Sequence, residues 1–226
     1  MLGVHPETAT AKTFRLRLSL PSSYLAGQHY VVRLTAPDGY QASRSYSVAS
    51  APTGAPDGDR EIEITVEKLG DGEVSGFLHD VVVPGDTLEV RGPIGGWFVW
   101  RGDGPALLIG GGSGVVPLMS MVRLARARGR PELVQLFVSV REPAELYYPD
   151  ELPGPGTTII YTRRAPAGWA RPAGRLSEAD LVGALAASPV AYVCGSPGFA
   201  DAATDLLTRA GLAAERIRVE RFGPSG

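Results

Sequence analysis

Three consecutive glycines and a serine, at residues 110–113, separate an apolar run at residues 106–109 from a segment with helical spacing. A turn of this composition leaves backbone amides uncovered by side chains where a helix begins, and the peptide dipoles there favour an anion. The turn therefore indicates a phosphate-binding loop. The alternative is a turn that only permits close packing, since its glycines do not follow the G-x-G-x-x-G spacing of a dinucleotide fingerprint.

A second group of residues that could bind a ligand is Arg44, Tyr46 and Ser47, in the sequence RSYS. Arginine can hold a phosphate with two parallel hydrogen bonds, tyrosine supplies a flat stacking surface, and a serine hydroxyl can donate to a ring nitrogen. These side chains suit a nucleotide with an aromatic head. An ordinary strand with an outward arginine and a packed tyrosine is the alternative.

A third candidate is the segment GEVSGFLHD, at residues 72–80. Ser75 is predicted to cap a short helix whose first amides point at a second phosphate. Plain helix capping without a ligand is the alternative. Because this segment and RSYS lie in the same half of the chain, that half is predicted to hold one pyrophosphate between them.

The first half of the chain has the pattern of antiparallel strands. Apolar residues alternate with polar ones in short runs, as at residues 14–20 and 62–66. Turn signals separate these runs at residues 37–39, 51–59, 70–72 and 84–86. Many short strands with little helix indicate an antiparallel barrel or sandwich.

The second half alternates apolar strands with helical segments. Strands are predicted at residues 106–109, 133–140, 158–161, 190–193 and 217–219. The first helix is predicted to bury Leu118, Met121, Val122 and Ala125. Ser196 and Pro197 are expected to begin a later helix that Gly211 ends. This pattern predicts an α/β domain with a mainly parallel sheet, whose ligands lie at the carboxyl edge.

Composition excludes several classes of function. The 226 residues are 44% hydrophobic and 20% charged, which is typical of a folded protein. A formal net charge of −2 gives no general attraction to nucleic acid. No segment reads as a signal peptide or approaches the ~18 apolar residues of a membrane span, so we expect a cytoplasmic protein without a membrane partner.

Cysteine and histidine usage argues against metal chemistry within the chain. The only cysteine, Cys194, excludes an internal disulfide and a cluster held by four cysteines of this chain. His5, His29 and His79 are far apart in sequence, so we expect no metal site.

The motifs, taken in order, resemble the ferredoxin:NADP reductase superfamily, and most of all the flavin reductase modules of oxygenase electron-transfer chains. The segments that carry the resemblance, between about residues 13 and 222, are RSYS, GEVS, GPIG, GGSGVVP, CG and ERF. The resemblance implies a six-stranded antiparallel β-barrel that binds flavin, in residues 1–101. It implies a Rossmann-like α/β domain with a parallel sheet that binds a nicotinamide dinucleotide, in residues 102–226.

The resemblance also assigns residues to the flavin, which we expect to be FAD rather than FMN. Arg44 would contact the flavin phosphate, Tyr46 the isoalloxazine or ribityl part, and Ser47 the region of N5. The pyrophosphate would be held by Gly72, Val74 and Ser75. Because the chain continues past Phe222 as Gly-Pro-Ser-Gly, Phe222 is the aromatic expected to shield the flavin.

The same resemblance places the nicotinamide dinucleotide. Its pyrophosphate would lie on Gly111, Gly112, Ser113 and Gly114. Its nicotinamide ring would meet the flavin near Cys194, Gly195 and Glu220. Ser47, Cys194 and Glu220 are the predicted catalytic residues, with geometric roles, because hydride transfer needs close alignment more than a strong acid or base. A buried, inert thiol is the alternative reading of Cys194.

The choice between NADPH and NADH is predicted from the residues expected at the adenosine end of the dinucleotide. Ser139 and Arg141 follow one strand, and Thr162, Arg163 and Arg171 follow the next, together with Arg164 and Arg175. In the superfamily a Ser/Thr-Arg pair at this edge commonly receives the 2′-phosphate of NADPH. We therefore expect NADPH rather than NADH. A solvated loop that is merely rich in arginine is the alternative.

The predicted function is that of an NAD(P)H-dependent flavoprotein reductase. It would take hydride onto FAD and pass electrons to an external protein acceptor, which could be a ferredoxin, a haem protein or a molybdenum protein. The resemblance favours a monomer. Two alternatives are a free-standing diaphorase or flavin reductase acting on small acceptors, and a non-catalytic flavin-binding subunit of a larger complex.

Overall fold

The computed structural model describes residues 1–187 and 189–223. Six strands come first in the chain, and all their pairings are antiparallel. They are β1 Gly3–Pro6, β2 Ala11–Ser22, β3 His29–Thr35, β4 Gln41–Ser47, β5 Asp59–Glu67 and β6 Glu89–Ile94. This confirms the predicted set of six antiparallel strands. The first of them is only four residues long.

The six strands form two three-stranded sheets that enclose one core. The strand orders are β1-β2-β5 and β4-β3-β6, and an isolated bridge between Val48 and Ile64 joins the chain after β4 to β5. Phe14, Ile62 and Ile64 are fully buried in this core. Alternation along each strand directs these residues inward, as the period-2 pattern predicted.

The helix α1, at Glu73–Asp80, closes one side of the antiparallel part. It buries Val74 and Leu78 in the same core as the sheets. The prediction that Ser75 caps this helix is wrong, because Gly72 occupies the cap position and Ser75 lies within the first turn. The Ser75 hydroxyl instead donates to the Gly72 carbonyl oxygen at 3.2 Å and accepts the Leu69 amide at 3.2 Å.

The second half is a five-stranded parallel sheet, as predicted. The strands are β7 Ala106–Gly111, β8 Val134–Val140, β9 Thr157–Tyr161, β10 Val190–Gly195 and β11 Ile217–Arg221, in the order β11-β10-β7-β8-β9. The helices are α2 Val115–Ala127, α3 Glu178–Leu181 and α4 Pro197–Arg209. Helices cover both faces, which explains why the strands read as continuous apolar runs.

The two faces of the parallel sheet pack on different helices. Leu108 points to the face that packs on α2, where Leu118 and Met121 are fully buried. Leu107 points to the other face, which packs on α3 and α4. The predicted buried face of α2 is confirmed.

The predicted ends of α4 are also confirmed. Ser196 precedes Pro197, the first residue of the helix, and Gly211 follows the last turn with a φ of +91°. Proline suits the first position because its missing amide would have no partner there. Glycine suits the last because the backbone turns into the left-handed region.

The two halves share a core instead of meeting at a thin linker. Phe98 and Trp100, from the connection between β6 and β7, belong to the same buried cluster as Met119 and Met121 of α2. The predicted domain boundary between residues 101 and 102 lies in this connection. That boundary stays a prediction.

Gly27 offers a test of this packing. Its φ is +100°, and an added Cβ would lie 2.0 Å from the Phe98 carbonyl oxygen and 2.8 Å from the Met121 methyl group. We expect Gly27→Ala to lower the free energy of unfolding by at least about 2 kcal/mol more than Gly39→Ala. Gly39 has a φ of +89° but nothing within 4 Å of the added atom. Gly39→Ala therefore measures the free-energy cost of the left-handed backbone alone. Equal losses in urea denaturation would contradict the packing argument.

Candidate functional site

A cavity of about 550 Å³ lies between the antiparallel sheets and the carboxyl edge of the parallel sheet. Its volume falls in the range of small-molecule and cofactor sites. The antiparallel part lines it with His29, Arg44, Ser45, Tyr46, Ser47, Thr65, Glu67, Leu69, Asp71, Gly72 and Ser75. The α/β part lines it with Ser113, Val116, Glu220, Arg221, Phe222 and Gly223. The structure therefore brings most of the predicted flavin residues together.

The end of β4 supplies one wall of this larger cavity. Arg44 is exposed, and its guanidinium donates to the Ser43 carbonyl oxygen at 2.7 Å, so most of its donors remain available. Burial raises the pKa of the Tyr46 hydroxyl to about 12, although the positive charge of Arg44 acts in the opposite direction. Tyr46 is therefore an uncharged ring at neutral pH. Ser47 is buried at the end of the strand.

The N-terminus of α1 supplies a second wall. An added Cβ at Gly72 would lie 2.3 Å from the Ser75 hydroxyl oxygen, so a larger residue would disturb this turn. The Val74 side chain is buried in the core, so only the backbone of Val74 can serve a ligand. Free amides at a helix N-terminus suit a phosphate.

The glycine-rich turn combines the two roles that its sequence left open. An added Cβ at Gly111 would lie 2.7 Å from the Phe199 ring, and one at Gly114 would lie 2.1 Å from the Cys194 carbonyl oxygen. These two glycines permit close packing. Gly112 has a φ of +55° and nothing within 4 Å of an added Cβ, so the turn presents open backbone there.

A smaller cavity of about 290 Å³ begins at this turn and runs along the carboxyl edge of the sheet. Its lining includes the predicted residues Gly111, Gly112, Ser113, Ser139, Arg141 and Thr162. It also includes Glu67, Val140, Glu145, Ser196 and Phe199. Ser113 and Glu67 line both cavities, so the two meet at the glycine-rich turn.

Three of the arginines that follow β8 and β9 already have acidic partners. Arg141 lies 3.8 Å from Glu145, and Arg164 pairs with Glu142. Arg171 donates to both carboxylate oxygens of Asp180, and to the carbonyl oxygens of Gly174 and Arg175. Arg171 is thus held within its own loop and does not line either cavity.

Arg163 differs from these arginines. Its side chain is exposed and forms no ion pair within residues 1–187 and 189–223. Its amide donates to the Arg141 carbonyl oxygen at 3.0 Å, which holds the backbone of the two arginines together. Arg163 does not line the smaller cavity, although the preceding Thr162 does.

Strand register joins Cys194 to Glu220. The two residues are direct partners in the parallel pairing of β10 with β11, at the carboxyl edge of the sheet. Cys194 is fully buried. Burial, and secondly the charge of Glu220, raise the pKa of the thiol well above its usual value, so the thiol stays protonated. Cys194 and Gly195 do not line the larger cavity, whereas Glu220 and Phe222 do.

The Glu220 carboxyl group is the most perturbed acid at this edge. Burial raises its pKa to about 7. Its Oε2 atom is buried and has no hydrogen-bond partner among the described residues. A buried polar atom without a partner costs free energy, so a ligand that donates a hydrogen bond there is favoured.

Phe222 closes the cavity at the end of β11. Its amide donates to the Gly195 carbonyl oxygen at 2.8 Å, and its side chain packs on the core beside α2. Of the tail that follows it, residues 224–226 lie outside the described part of the chain.

Several residues that line the two cavities were not predicted from the sequence. His29 lies opposite Ser47 in the pairing of β3 with β4, and burial lowers the pKa of its imidazole. Glu67 and Asp71 precede the segment GEVS, and Glu145 lies beside Arg141. Only Glu67 and Asp71 carried a signal, which is their position next to a predicted phosphate segment. Strand register places His29, and no local pattern reports it.

Family models match both halves of the chain. The oxidoreductase FAD-binding domain matches residues 5–99, and the oxidoreductase NAD-binding domain matches residues 108–205. The chain therefore carries an oxidoreductase FAD-binding domain followed by an oxidoreductase NAD-binding domain. This confirms the resemblance, the two-domain fold class and the prediction of an oxidoreductase with FAD and NAD(P)H as cofactors.

Relatives from oxygenase systems support the same conclusion. The chain is 29% identical to the ferredoxin–NAD(P)(+) reductase component of the naphthalene 1,2-dioxygenase/salicylate 5-hydroxylase systems of Ralstonia sp., covering 99% of this chain and 68% of the relative. It is 30% identical to the phenol hydroxylase P5 protein of Acinetobacter pittii, covering 94% of this chain and 62% of the relative. Both relatives are longer than the part that matches.

A solved structure shows the same fold over nearly the whole chain. It is the FAD/NAD-binding domain of the nitric oxide dioxygenase from Vibrio cholerae, with a TM-score of 0.84 and 23% identity. The match covers 99% of this chain and 98% of that one.

The described residues contain neither a cluster of metal ligands nor a membrane-spanning helix. No group of three or more His, Cys, Asp and Glu residues in this part of the chain is placed to hold a metal ion. None of the helices found there is long and apolar enough to cross a membrane.

The pKa of Glu220 predicts a pH dependence of stability. The carboxyl group has a pKa of 4.5 when exposed and about 7 when folded, so its proton is held more tightly in the folded state. Its contribution is therefore fully present below about pH 4.5 and is lost as the pH rises towards 7. In the flavin-free protein we expect the ionisation of Glu220 to remove on the order of 3 kcal/mol of unfolding free energy over this interval.

The variant Glu220→Gln should remove this slope, because glutamine does not titrate. Urea denaturation between pH 4.5 and pH 7.5 measures it. Glu215→Gln, on the turn before β11, is the control and should keep the wild-type slope. A wild-type slope in Glu220→Gln would show that other groups cause the dependence.

Proposed function

We propose that this chain is an NAD(P)H-dependent flavoprotein reductase that delivers electrons to an external protein. The observation that carries the proposal is that the two cavities meet at Ser113, beside the edge that holds the partly buried Glu220. A flavin in the larger cavity and a dinucleotide in the smaller one would therefore come into contact there. FAD, when bound, accepts two electrons together as hydride and releases them one at a time.

The residues of the larger cavity fit FAD. Arg44 offers free donors for a phosphate, and Tyr46 offers an uncharged ring for stacking. Gly72, the Val74 amide and Ser75 would hold the pyrophosphate at the start of α1. Phe222 would cover the flavin from the end of β11.

The smaller cavity fits a nicotinamide dinucleotide. Gly111, Gly112, Ser113 and Gly114 would hold its pyrophosphate at the start of α2, where the helix dipole favours an anion. Ser139, Arg141 and Thr162 would meet the adenosine end at the edge of the sheet.

Ser47, Cys194 and Glu220 are proposed to act by position. The Cys194 thiol is protonated and fully buried, so it adds no charge to the sheet edge. Glu220 holds a proton on its carboxyl group below about pH 7, and can then donate as well as accept hydrogen bonds. Both properties favour a single orientation of a nicotinamide ring, on which hydride transfer depends.

The acceptor is proposed to be a protein of the kind that relatives serve. Those relatives are named as reductase components of dioxygenase and monooxygenase systems. A ferredoxin, a haem protein or a molybdenum protein would each suit the chemistry. A free-standing diaphorase would instead reduce small dyes as fast as any protein. The monomeric state and the cytoplasmic location stay predictions.

NADPH is proposed as the preferred donor, with Thr162 and Arg163 receiving its 2′-phosphate. The support is that Arg163 has no acidic partner in the described chain, unlike Arg141, Arg164 and Arg171. NADH is the second candidate, because Glu145 lines the cavity beside Arg141 and a carboxylate there suits an unmodified ribose.

An anaerobic titration tests the reductase function. NADPH, and separately NADH, would be added to the purified protein loaded with FAD, and the blue flavin absorbance would be followed over time. We expect rapid bleaching by NADPH and slower bleaching by NADH. A flavin band that neither donor bleaches would favour the non-catalytic subunit and contradict the proposal.

The 2′-phosphate site gives a separate prediction. Arg163→Ala should weaken NADPH binding by about 1.5–3 kcal/mol, the range for a hydrogen bond to a charged group, with little change for NADH. Arg164→Ala is the matched control, because Glu142 already holds that side chain. Calorimetric titration with each dinucleotide measures both effects. Equal losses for the two dinucleotides in Arg163→Ala would contradict the assignment.

A further inference from the structure

A single arginine ties the helix that follows the glycine-rich turn to the antiparallel sheets. Arg123 lies on α2 and is mostly buried, with 17% of its side chain exposed. Its Nη1 atom donates to the Glu63 carboxylate at 2.9 Å and to the Ala49 carbonyl oxygen at 3.0 Å. Its Nε atom donates to Glu151 at 3.0 Å, and its Nη2 atom donates to the other oxygen of Glu151.

Tyr148 makes the same connection from a neighbouring loop. Its ring lies 5.1 Å from the Arg123 guanidinium carbon, and its hydroxyl is 2.6 Å from the Thr65 hydroxyl of β5. Its amide donates to Glu7 at 3.0 Å. Tyr148 has a φ of 53°, the one positive φ outside glycine among the described residues. Such a conformation persists only where surrounding contacts determine it.

The charges of this cluster support a fixed geometry. Burial opposes the positive charge of Arg123, but the hydrogen bonds and charge of Glu151 outweigh burial and raise the pKa of the guanidinium. The hydrogen bonds from Arg123 also lower the pKa of Glu151. The pair is therefore fully charged at neutral pH. A planar guanidinium that satisfies several acceptors at once allows little rotation between the elements that it joins.

The cluster is connected to the larger cavity through Thr65 and to the glycine-rich turn through the helix α2. Thr65, the partner of Tyr148, lines the larger cavity. Arg123 is two turns along the helix that begins directly after Gly114. On the same helix as Arg123, the Ser120 hydroxyl donates to the Ser50 carbonyl oxygen at 2.6 Å. Short contacts thus run from the wall of the proposed flavin cavity to the helix that presents the proposed dinucleotide turn.

We propose that Arg123 and Tyr148 are positioning residues that align the nicotinamide ring with the flavin. The inference rests on the proposed function, because alignment matters only if hydride passes between the two cavities. Neither side chain lines a cavity, so each acts through the elements that it joins. Their removal should therefore affect hydride transfer more than binding of either cofactor.

The test uses the FAD-loaded protein and three variants. Arg123→Lys keeps the charge but loses the planar fork, and Tyr148→Phe removes only the hydroxyl that reaches Thr65. Arg126→Lys is the matched control, because Arg126 lies on the same helix and, among the described residues, its side chain bonds to Glu151 and not to the antiparallel sheets. Stopped-flow reduction at saturating NADPH should slow about tenfold to a hundredfold in the first two variants. The control should match the wild type.

Two further measurements separate alignment from simple damage. FAD content and the dissociation constant of NADP⁺ should stay near the wild-type values in all three variants. The long-wavelength charge-transfer absorbance, which arises when a nicotinamide ring stacks on a reduced flavin, should weaken in Arg123→Lys and Tyr148→Phe. This signal reports geometry and does not depend on turnover.

The outcomes distinguish the inference from the function on which it rests. Wild-type flavin that neither NADPH nor NADH reduces would overturn both. Normal reduction in the wild type, together with unchanged rates and unchanged charge-transfer absorbance in Tyr148→Phe, would overturn the inference alone. If Arg123→Lys does not fold, Tyr148→Phe carries the test, because it deletes a single oxygen atom.

Discussion

The contact between α2 and the antiparallel sheets is the constraint on which the rest of this structure depends. One cavity belongs mainly to the sheets and the other to the parallel strands, and they can act together only if this contact holds them in one orientation. An apolar cluster around Phe98, Trp100, Met119 and Met121 supplies the cohesion. Such a cluster is not directional, so the buried guanidinium of Arg123 adds the directional bonds that specify the orientation.

At the carboxyl edge of the parallel sheet, the cost of burying a carboxyl group is a second physical constraint. Parallel pairing sets Cys194 beside Glu220 in a place where water is largely excluded. A buried carboxyl group with an unpartnered oxygen is costly, so the fold keeps it at the wall of a cavity and shifts its pKa towards 7. This free-energy cost fits a functional site, since acidic residues with shifted pKa values in clefts often mark one. The neighbouring thiol, buried and protonated, adds no competing charge at neutral pH.

Much of the fold could be predicted because its causes are local. Apolar alternation marked the antiparallel strands, and apolar runs followed by helical spacing marked the parallel ones. The glycines at 110–114 and the pair Ser196-Pro197 identified turns whose backbone requirements are specific. The prediction for Ser75 was wrong for a local reason too, because Gly72 takes the cap position and Ser75, in the first turn, bonds to the Gly72 carbonyl oxygen and the Leu69 amide.

The sequence by itself determined the strands, the helix faces, the glycine-rich turn and the residue types available to hold phosphates, because each depends on neighbours within a few residues. Tertiary structure alone decided which of those residues meet. Strand register placed His29 opposite Ser47 and Cys194 opposite Glu220. Packing between the two halves brought Glu63 and the Ala49 carbonyl oxygen to Arg123. These contacts join residues that are distant in the chain, so only the folded backbone brings their charges and hydrogen bonds within reach of one another.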